Sequence, residues 1–519
     1  MSAQAPAPAQ LDYPDNIDAA VLKVAGVVVL GAIMSILDIT VVNVALPVFQ
    51  TTFATDAAHP VAYSTVAWTV TAYTLALATV IPLTGWAADR FGTKRLYMAA
   101  IVLFTAGSAL CSAANGINML IGFRVLQGLG GGMLMPLGMT IMTRAAGPHR
   151  MGRLMAILGV PMLLGPIFGP ILGGWLIDHA SWHWIFLINV PLGIIATIYA
   201  YLVLPKDHTE PSESLDWLGV LLMSPGLALF LYGISSIPSA GTVADAKVLT
   251  FAGVGLVLML AFVWHSFRPR HPLLDFRLFT NRNLTVSIVT MFIFAAAFFG
   301  GLLLVPTYYQ QVRGETPLGA GWLVAPQGLG AMLTMPLAGY LVDRLPVGRI
   351  VPFGITTIIV GMFGLSQIDA ETSKWTITGW LFLMGLGMGG TMMPIFTTAL
   401  RTLTSHEVAR GSTLLNISQQ IASSVGVATM SVLLTNHLKD HPLAGAAIAS
   451  RQDPALVEKI GGPAGVAQGL QQAASAFTST FFVAACLVIL ALVSALFLPR
   501  KHEESHLLDD QGLPPVAIH

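Results

Sequence analysis

Hydrophobic residues in this chain gather into long blocks with few or no charges, each bounded by Pro, Gly and charged residues. The blocks lie near residues 24–47, 64–87, 95–114, 118–142, 154–178, 184–204, 217–237, 248–267, 285–309, 319–342, 350–368, 376–399, 412–436 and 473–498. Apolar stretches of about 20 residues cross a bilayer as helices. A closed β-barrel needs alternating segments of about ten residues instead, and these blocks are longer and apolar all round. The pattern therefore predicts an all-α polytopic membrane protein with fourteen transmembrane helices.

The connections set its orientation. With a cytoplasmic N-terminus, one set of loops collects 18 basic residues and the opposite set six, three of which fall in a single Ala/Gly-rich loop at about 437–472. Lys and Arg are retained on the inner side, so both termini are expected in the cytoplasm and the protein in the cell membrane. The expected organisation is a disordered tail over 1–20, a six-helix half over 21–205, two extra helices over 206–270, a second six-helix half over 271–499, and a tail over 500–519. No basic residue precedes Lys23, which is the wrong pattern for a cleavable signal peptide.

Composition then narrows the function classes. Hydrophobic residues make up 55% of the 519 and charged ones 10%, against roughly 25% charged in a soluble domain. The 25 basic and 25 acidic residues cancel, so nothing favours nucleic acid as a partner. Cys111 and Cys486 lie inside apolar blocks, which makes a disulfide or a metal site improbable. All 13 histidines fall in loops or at span ends, so no cluster at depth suggests a membrane-embedded enzyme. GLGGGM (128–133) is not a phosphate loop, because no Gly-Lys dipeptide exists in the chain. No ATPase and no cofactor is expected.

Two charges interrupt the apolar spans. Asp38 lies at the middle of the first and Arg124 inside the fourth. A charge at bilayer depth costs at least about 2.5 kcal/mol on insertion scales, and it ordinarily faces a partner or a water-filled cavity and serves function. The plain alternative is one structural ion pair between the two.

The chain also repeats itself. GWAADRFGTKR (85–95) is echoed by GYLVDRLPVGR (339–349), and GLGGGMLMP (128–136) by GLGMGGTMMP (385–394). Parallel six-helix halves are an architecture of secondary transporters, with substrate held between them near the midplane. The chemistry is not repeated, since Leu381 stands where the second half would match Arg124.

At these residues the chain resembles the major facilitator superfamily, and within it the fourteen-helix drug:proton antiporters of EmrB/QacA type. LDITVVNVALP (37–47), GWAADRFGTKR (85–95), LIGFRVLQGLGGGMLMP (120–136), GVPMLLGPIFGPILGG (159–174), WHWIFLINVPLG (182–193) and HPLLDFRLFTNRN (271–283) are similar to that group's motifs in order. The resemblance implies two six-helix halves plus two inserted helices and a proton-coupled exporter of hydrophobic or amphipathic molecules driven by the proton motive force. It implies an antiporter helix at Gly165, Pro166, Gly169, Pro170 and Gly173 that prevents leak between the halves, and an outer face able to work with a membrane-fusion protein; a plain connector at 437–472 is the equal alternative. His183 stands where the family commonly has Arg.

Each candidate group has its own chemistry. Asp38 and Arg124 are the expected proton-coupling pair, with Gln127 one turn on, because desolvation and a neighbouring guanidinium act in opposite directions on a carboxyl. Gly85, Asp89, Arg90, Gly92 and Arg95, with Lys94, and the repeat's Asp343 and Arg344, are expected to form a cytoplasmic latch of alternate salt bridges. Cavity candidates are Asn43, Trp68, Thr71, Tyr73, Gln127, Asn189, Tyr308, Gln310, Gln311, Gln327, Asn416, Gln419 and Gln420, several of which serve equally as interhelical glue. The partners expected are small molecules, protons and lipid. Export of one endogenous metabolite, lipid or siderophore, or proton-coupled import, remain alternative readings of the same fold.

Overall fold

The computed structural model describes residues 18–54, 61, 63–146, 150–206, 214–240, 242–269, 272–404, 407–451 and 455–501. Every regular element among them is helical. The first, α1 (Ala19–Thr52), begins where Asp18 accepts the Val21 N–H at 2.8 Å. α2 (Tyr63–Phe91) turns into α3 (Thr93–Ser112) through Gly92, whose φ of 91° suits only glycine. α4 (Ile117–Ala146) and α5 (Met151–His179) follow, and then α6 (His183–Leu187) and α7 (Asn189–Val203), which meet at Ile188.

An inserted hairpin comes next, formed by α8 (Trp217–Ser235), the single turn α9 (Ile237–Ala240) and α10 (Ala246–Ser266). The second half contains α11 (Arg282–Gln311), α12 (Pro317–Val342), α13 (Val347–Leu365), α14 (Lys374–Gly389), α15 (Met392–Arg401) and α16 (Val408–Lys439). Two short helices, α17 (Ala444–Ala449) and α18 (Ala455–Lys459), lead to α19 (Gly462–Ala495).

Twelve candidate membrane spans are long and apolar enough among the described residues, taking α6 with α7 and α14 with α15 as single rods. Fourteen were expected from the blocks. The two long helices outside the dozen are α5 and α12, and α12 carries Pro326, Gln327 and Pro336 among its leucines. The blocks also missed a break at Gly390 and Thr391, where the rod of α14 and α15 is interrupted. The loop expected at 437–472 is largely helical in its described part, since α16 reaches Lys439 and α19 starts at Gly462. Arg451 ties it down by donating to the Val312 carbonyl at 2.6 Å, and Gln471 accepts the Ala370 N–H at 3.2 Å. The tails, 1–17 and 502–519, lie outside the described residues.

Helices in lipid gain little from hydrophobic contrast and associate through close packing of small residues. α4 packs against α1, α2 and α3 on this basis. A Cβ on Gly128 would stand 2.5 Å from the Tyr73 carbonyl oxygen, and one on Gly130 2.5 Å from the Phe104 nitrogen. The second half repeats the scheme with α14 between α12 and α13, and the halves meet where α5 packs on α12 and α16 on α2 and α4. The inserted hairpin leans on the outside of α2 and α16 through α8.

One end of the molecule is tied across the halves. There Asp343, closing α12, accepts the Gly152 N–H at 2.9 Å and the Arg153 Nε at 3.1 Å. Asp89 in the last turn of α2 lies 4.0 Å from Arg144 of α4 and 3.7 Å from Arg410 of α16. We call this the latch end and the opposite one the far end.

Candidate functional site

Asp38 and Arg124 come from different helices and meet in the interior of the first half. Arg124 Nη1 donates to Asp38 Oδ2 at 2.5 Å and to Gln127 Oε1 at 2.8 Å, and its Nε donates to the Thr69 carbonyl at 2.9 Å. Gln127 sits one turn along α4, so its amide reaches both charges; its Nε2 donates to Asp38 Oδ1 at 2.8 Å. Asn189 Nδ2 donates to the same oxygen at 3.3 Å and to Ser108 Oγ at 3.1 Å. Both charged side chains are 0% exposed.

Aromatic residues complete the enclosure. The guanidinium carbon of Arg124 stands 4.1 Å from the Tyr73 ring centroid and 5.9 Å from that of Phe186. The Tyr73 hydroxyl lies 3.2 Å from Ser35 Oγ, and the Cys111 thiol donates to Gln127 Oε1 at 3.6 Å. Arg124 Nη2 has no hydrogen-bond partner among the described residues. A buried pair of this kind links charge state to structure. A proton placed on Asp38 removes the anion that Arg124 faces, and a buried guanidinium without its counter-ion is costly.

The other candidates divide into three groups. Tyr73, Gln127 and Asn189 belong to the enclosure of the ion pair rather than to an open wall, all three being buried. Tyr308 is bound elsewhere, its hydroxyl donating to the Asp369 carbonyl at 2.6 Å. Trp68 stacks on Tyr232 of the inserted hairpin. Asn43 and Gln310 are exposed, while Gln311, Gln419 and Gln420 are half-buried. α1 packs on α2, α4, α5, α6 and α7 of its own half. Gln327 is buried with neither amide atom partnered, and the Thr71 hydroxyl donates back to the Ala67 carbonyl. Asn416 donates to the Met139 sulfur at 3.3 Å, across the halves.

At the latch end, Asp89 and Asp343 are joined by residues that the loop motif does not contain. Their partners Arg144, Arg153 and Arg410 had counted only toward orientation, and spacing gave no sign that they converge. Of the expected latch cations, Lys94 donates to the carbonyls of Tyr201 and Leu204, both at 2.7 Å, which closes the end of α7. Arg344 lies over the Tyr340 ring at 4.3 Å, and Arg90 is half-buried and Arg95 exposed. Gly85 faces the α16 backbone at Ala409 and Arg410, each at 3.5 Å from a built Cβ. Beside it Thr140 and Ser412 share a hydrogen bond of 3.0 Å between the halves, another pair without a sequence signal.

Along α5, Gly165, Gly169 and Gly173 face Ile36, Thr40 and Val41 of α1, within the first half. The side chains of Pro166 and Pro170 lie outside the described residues. Toward its start α5 also touches the second half, where Gly152 and Gly159 approach Gly339 and Met335. His183 stacks on Trp182 at 3.9 Å and lies 3.3 Å from Ser181 Oγ. No group of three or more metal-ligating side chains occurs among the described residues.

Comparison with known proteins places this geometry. A multidrug resistance protein B homolog of Mycobacterium tuberculosis is 47% identical, the match covering 96% of this chain and 94% of that protein. A putative multidrug resistance protein MdtD of Klebsiella pneumoniae is 30% identical over 80% of this chain and 86% of its own length. Among solved structures, the proton:xylose symporter XylE superposes with a TM-score of 0.60 at 16% identity, covering 95% of this chain and 99% of the other. The human organic anion transporter MFSD10 does so with 0.58 at 14% identity, over 90% and 99%. Those two likenesses concern the fold. Residues 28–427 match the sequence model of the Major Facilitator Superfamily, and with a helical bundle of two linked halves and a buried ion pair inside the first, the chain is a multi-pass membrane transporter belonging to that superfamily.

Proposed function

We propose that this protein is a proton-coupled exporter of hydrophobic or amphipathic small molecules, working by alternating access with fourteen spans, α5 and α12 added to the twelve, and with both termini in the cytoplasm of the cell that it serves. The observation that carries the proposal is the sequestered Asp38–Arg124 pair in a bundle whose halves are tied at the latch end, with Asn43 and Gln310 left exposed. The latch end is the cytoplasmic one, since it holds Arg90, Lys94, Arg95, Arg144 and Arg153. The names of the relatives support drug export.

In this reading Asp38 is the proton carrier. With the carboxylate ionised, Arg124, Gln127 and Asn189 hold α1, α4 and α7 together around it. Protonation leaves Arg124 held only by the Thr69 carbonyl, Gln127 and the Tyr73 face, loosening the first half so that the bundle can close at the far end and open at the latch end. The reverse step returns the proton inside as cargo takes the divide. Each ten-fold proton gradient supplies about 1.4 kcal/mol and each 100 mV about 2.3 kcal/mol per charge moved. The folded loop between α16 and α19 is the surface offered to a membrane-fusion partner.

The test is transport in proteoliposomes with an imposed proton gradient. Cargo-dependent proton flux in the wild type, lost in Asp38→Asn while cargo still binds, is the expected result. Unchanged coupling in Asp38→Asn would place the proton elsewhere, and no movement of any lipophilic cation or neutral drug would favour a dedicated metabolite exporter.

A further inference from the structure

The HPLLDFRLFTNRN motif takes no part in the coupling pair or the latch, yet its described part, 272–283, is folded into a definite corner. Beyond the end of α10 at Ser266, the buried Pro272, Leu273 and Leu274 lead into a 3-10 turn over Phe276–Thr280, and α11 follows. Asp216, the cap of α8, fixes the corner from inside. Its buried carboxylate lies 2.8 Å from His265 Nε2 and accepts the Leu273 N–H at 3.3 Å. Asn281 Nδ2 donates to the Thr402 carbonyl at 3.2 Å, and the neighbouring Arg401 donates to the Val342 carbonyl next to Asp343, so the corner stands at the latch end.

Aromatic and basic groups meet on its outer side. Trp217, Trp264 and Phe267 are exposed, and the Phe267 ring lies 6.4 Å from that of Phe276, which stacks on Phe279 at 5.7 Å. The Arg268 guanidinium stands 3.5 Å over the Trp264 ring, and Arg277 Nη2 donates to the Phe267 carbonyl at 3.4 Å. One guanidinium thus belongs to Arg268 and the other rests on the carbonyl that Arg268 follows, and both side chains are exposed. The latch arginines Arg144, Arg153 and Arg410 each face a carboxylate, whereas Arg268 and Arg277 meet none among the described residues. Asp275, the one acid between residues 264 and 283, accepts the Arg277 N–H at 3.0 Å and so caps the 3-10 turn.

We infer that this corner is a seat for one anionic phospholipid of the leaflet at the latch end, its phosphate held by Arg268 and Arg277 and its apolar part laid against Trp264 and Phe267. The seat goes beyond the exporter reading and does not depend on it. A guanidinium stacked on an indole keeps its planar fork in place, and the N–H donors of the fork match phosphate oxygens two at a time. A lipid fits better than free phosphate because exposed aromatic rings border the arginines, and such rings settle where headgroup meets acyl chain. Since Asp216 ties the same corner to the start of α8, a bound headgroup holds the inserted hairpin and the segment leading to α11 together at the membrane surface.

The test uses the purified full chain in a neutral detergent, with phosphatidylglycerol, phosphatidylcholine of the same acyl chains, and inorganic phosphate as probes. Native mass spectrometry is expected to show one phosphatidylglycerol retained by the wild type, and an affinity about twenty-fold lower when Arg268→Gln and Arg277→Gln are combined, as each basic side chain at a membrane surface contributes about five-fold. Arg268→Lys keeps the charge without the stacked fork and should recover only part of the loss. Lys23→Gln removes an exposed cation from the start of α1 and should change nothing. Equal affinity for the two lipids, or an equal loss in Lys23→Gln, would reduce the seat to general attraction by a basic surface and overturn it. Inorganic phosphate that displaces the lipid and by itself raises the melting temperature would assign the arginines to a soluble ligand instead. A second readout does not use the arginine variants. In vesicles, dibrominated phosphatidylglycerol as a minor component should quench the Trp264 share of the fluorescence, taken as the difference from Trp264→Phe, more than dibrominated phosphatidylcholine at the same fraction. Equal quenching by the two lipids would remove the seat. Neither readout involves transport, so both hold their meaning whether or not proton-driven export is observed.

Discussion

Asp38 holds a full unit of charge with no solvent exposure, and its cost is offset by one guanidinium and two side-chain amides. Removing one member of such a pair is worse than removing both, because the survivor stays buried and charged. Asp38→Leu and Arg124→Leu are each expected to lower stability by about 3–5 kcal/mol, and the double variant by clearly less than the sum. Thermal unfolding of the four proteins in one detergent checks this, and simple additivity would mean that the charges do not act on each other. Arg124→Lys keeps the charge and loses the planar fork that serves Asp38, Gln127 and Thr69 together, so it should fold and transport poorly. The sequence located both charges through their depth in the spans. It could not show Tyr73 beneath the guanidinium or Ser108 behind Asn189, because a tyrosine or serine in an apolar helix looks the same whether it faces lipid, a cavity or an ion.

At the level of the element, the glycines of α4 set how near its neighbours come. Gly128 and Gly130 lie against the backbones of α2 and α3, where a Cβ would stand 2.5 Å from Tyr73 O and from Phe104 N. Gly130→Ala should therefore cost about 1–3 kcal/mol through forced separation. Gly122, on the same helix, has nothing within 4 Å of a built Cβ, so Gly122→Ala should be neutral or gain up to about 1 kcal/mol from helix propensity. Melting temperatures of the two variants would decide it, and equal losses would mean that α4 is not set by contact. The residues GLGGGM point to close packing by their small size alone, but which glycine meets which helix depends on the rotation of α4 about its axis. The break at Gly390 and Thr391 was hidden for a related reason, as a run of Gly and Met continues a helix or ends it according to what surrounds it.

At the scale of the whole molecule, two carboxylates tie the halves to each other at the latch end. Asp343 and Asp89 join α12 to α5 and α2 to α16 at the latch end through largely buried carboxylates that meet partly exposed arginines, where each pair is worth on the order of 1 kcal/mol. Asp343→Asn or Asp89→Asn should accordingly raise the fraction of protein open at that end about five-fold. Ser412 is fully buried beneath the latch, so alkylation of Ser412→Cys reports the opening. A rate unmoved by either substitution would show that helix packing alone holds the end closed.

Length of the apolar blocks, the bias of the basic residues and the doubled motifs determined from the sequence a helical membrane protein of two related halves. They do so because each is a property of the chain against a bilayer, in which every backbone group must be paired within its own helix and every charge placed deliberately. Tertiary structure alone decided the partners. Arg410 meets Asp89 across 321 positions of chain, Asn189 reaches Asp38, and Tyr232 of the inserted hairpin stacks on Trp68, since side chains distant in sequence become neighbours only through how helices tilt and pack, and that depends on every small residue along their contacts at once.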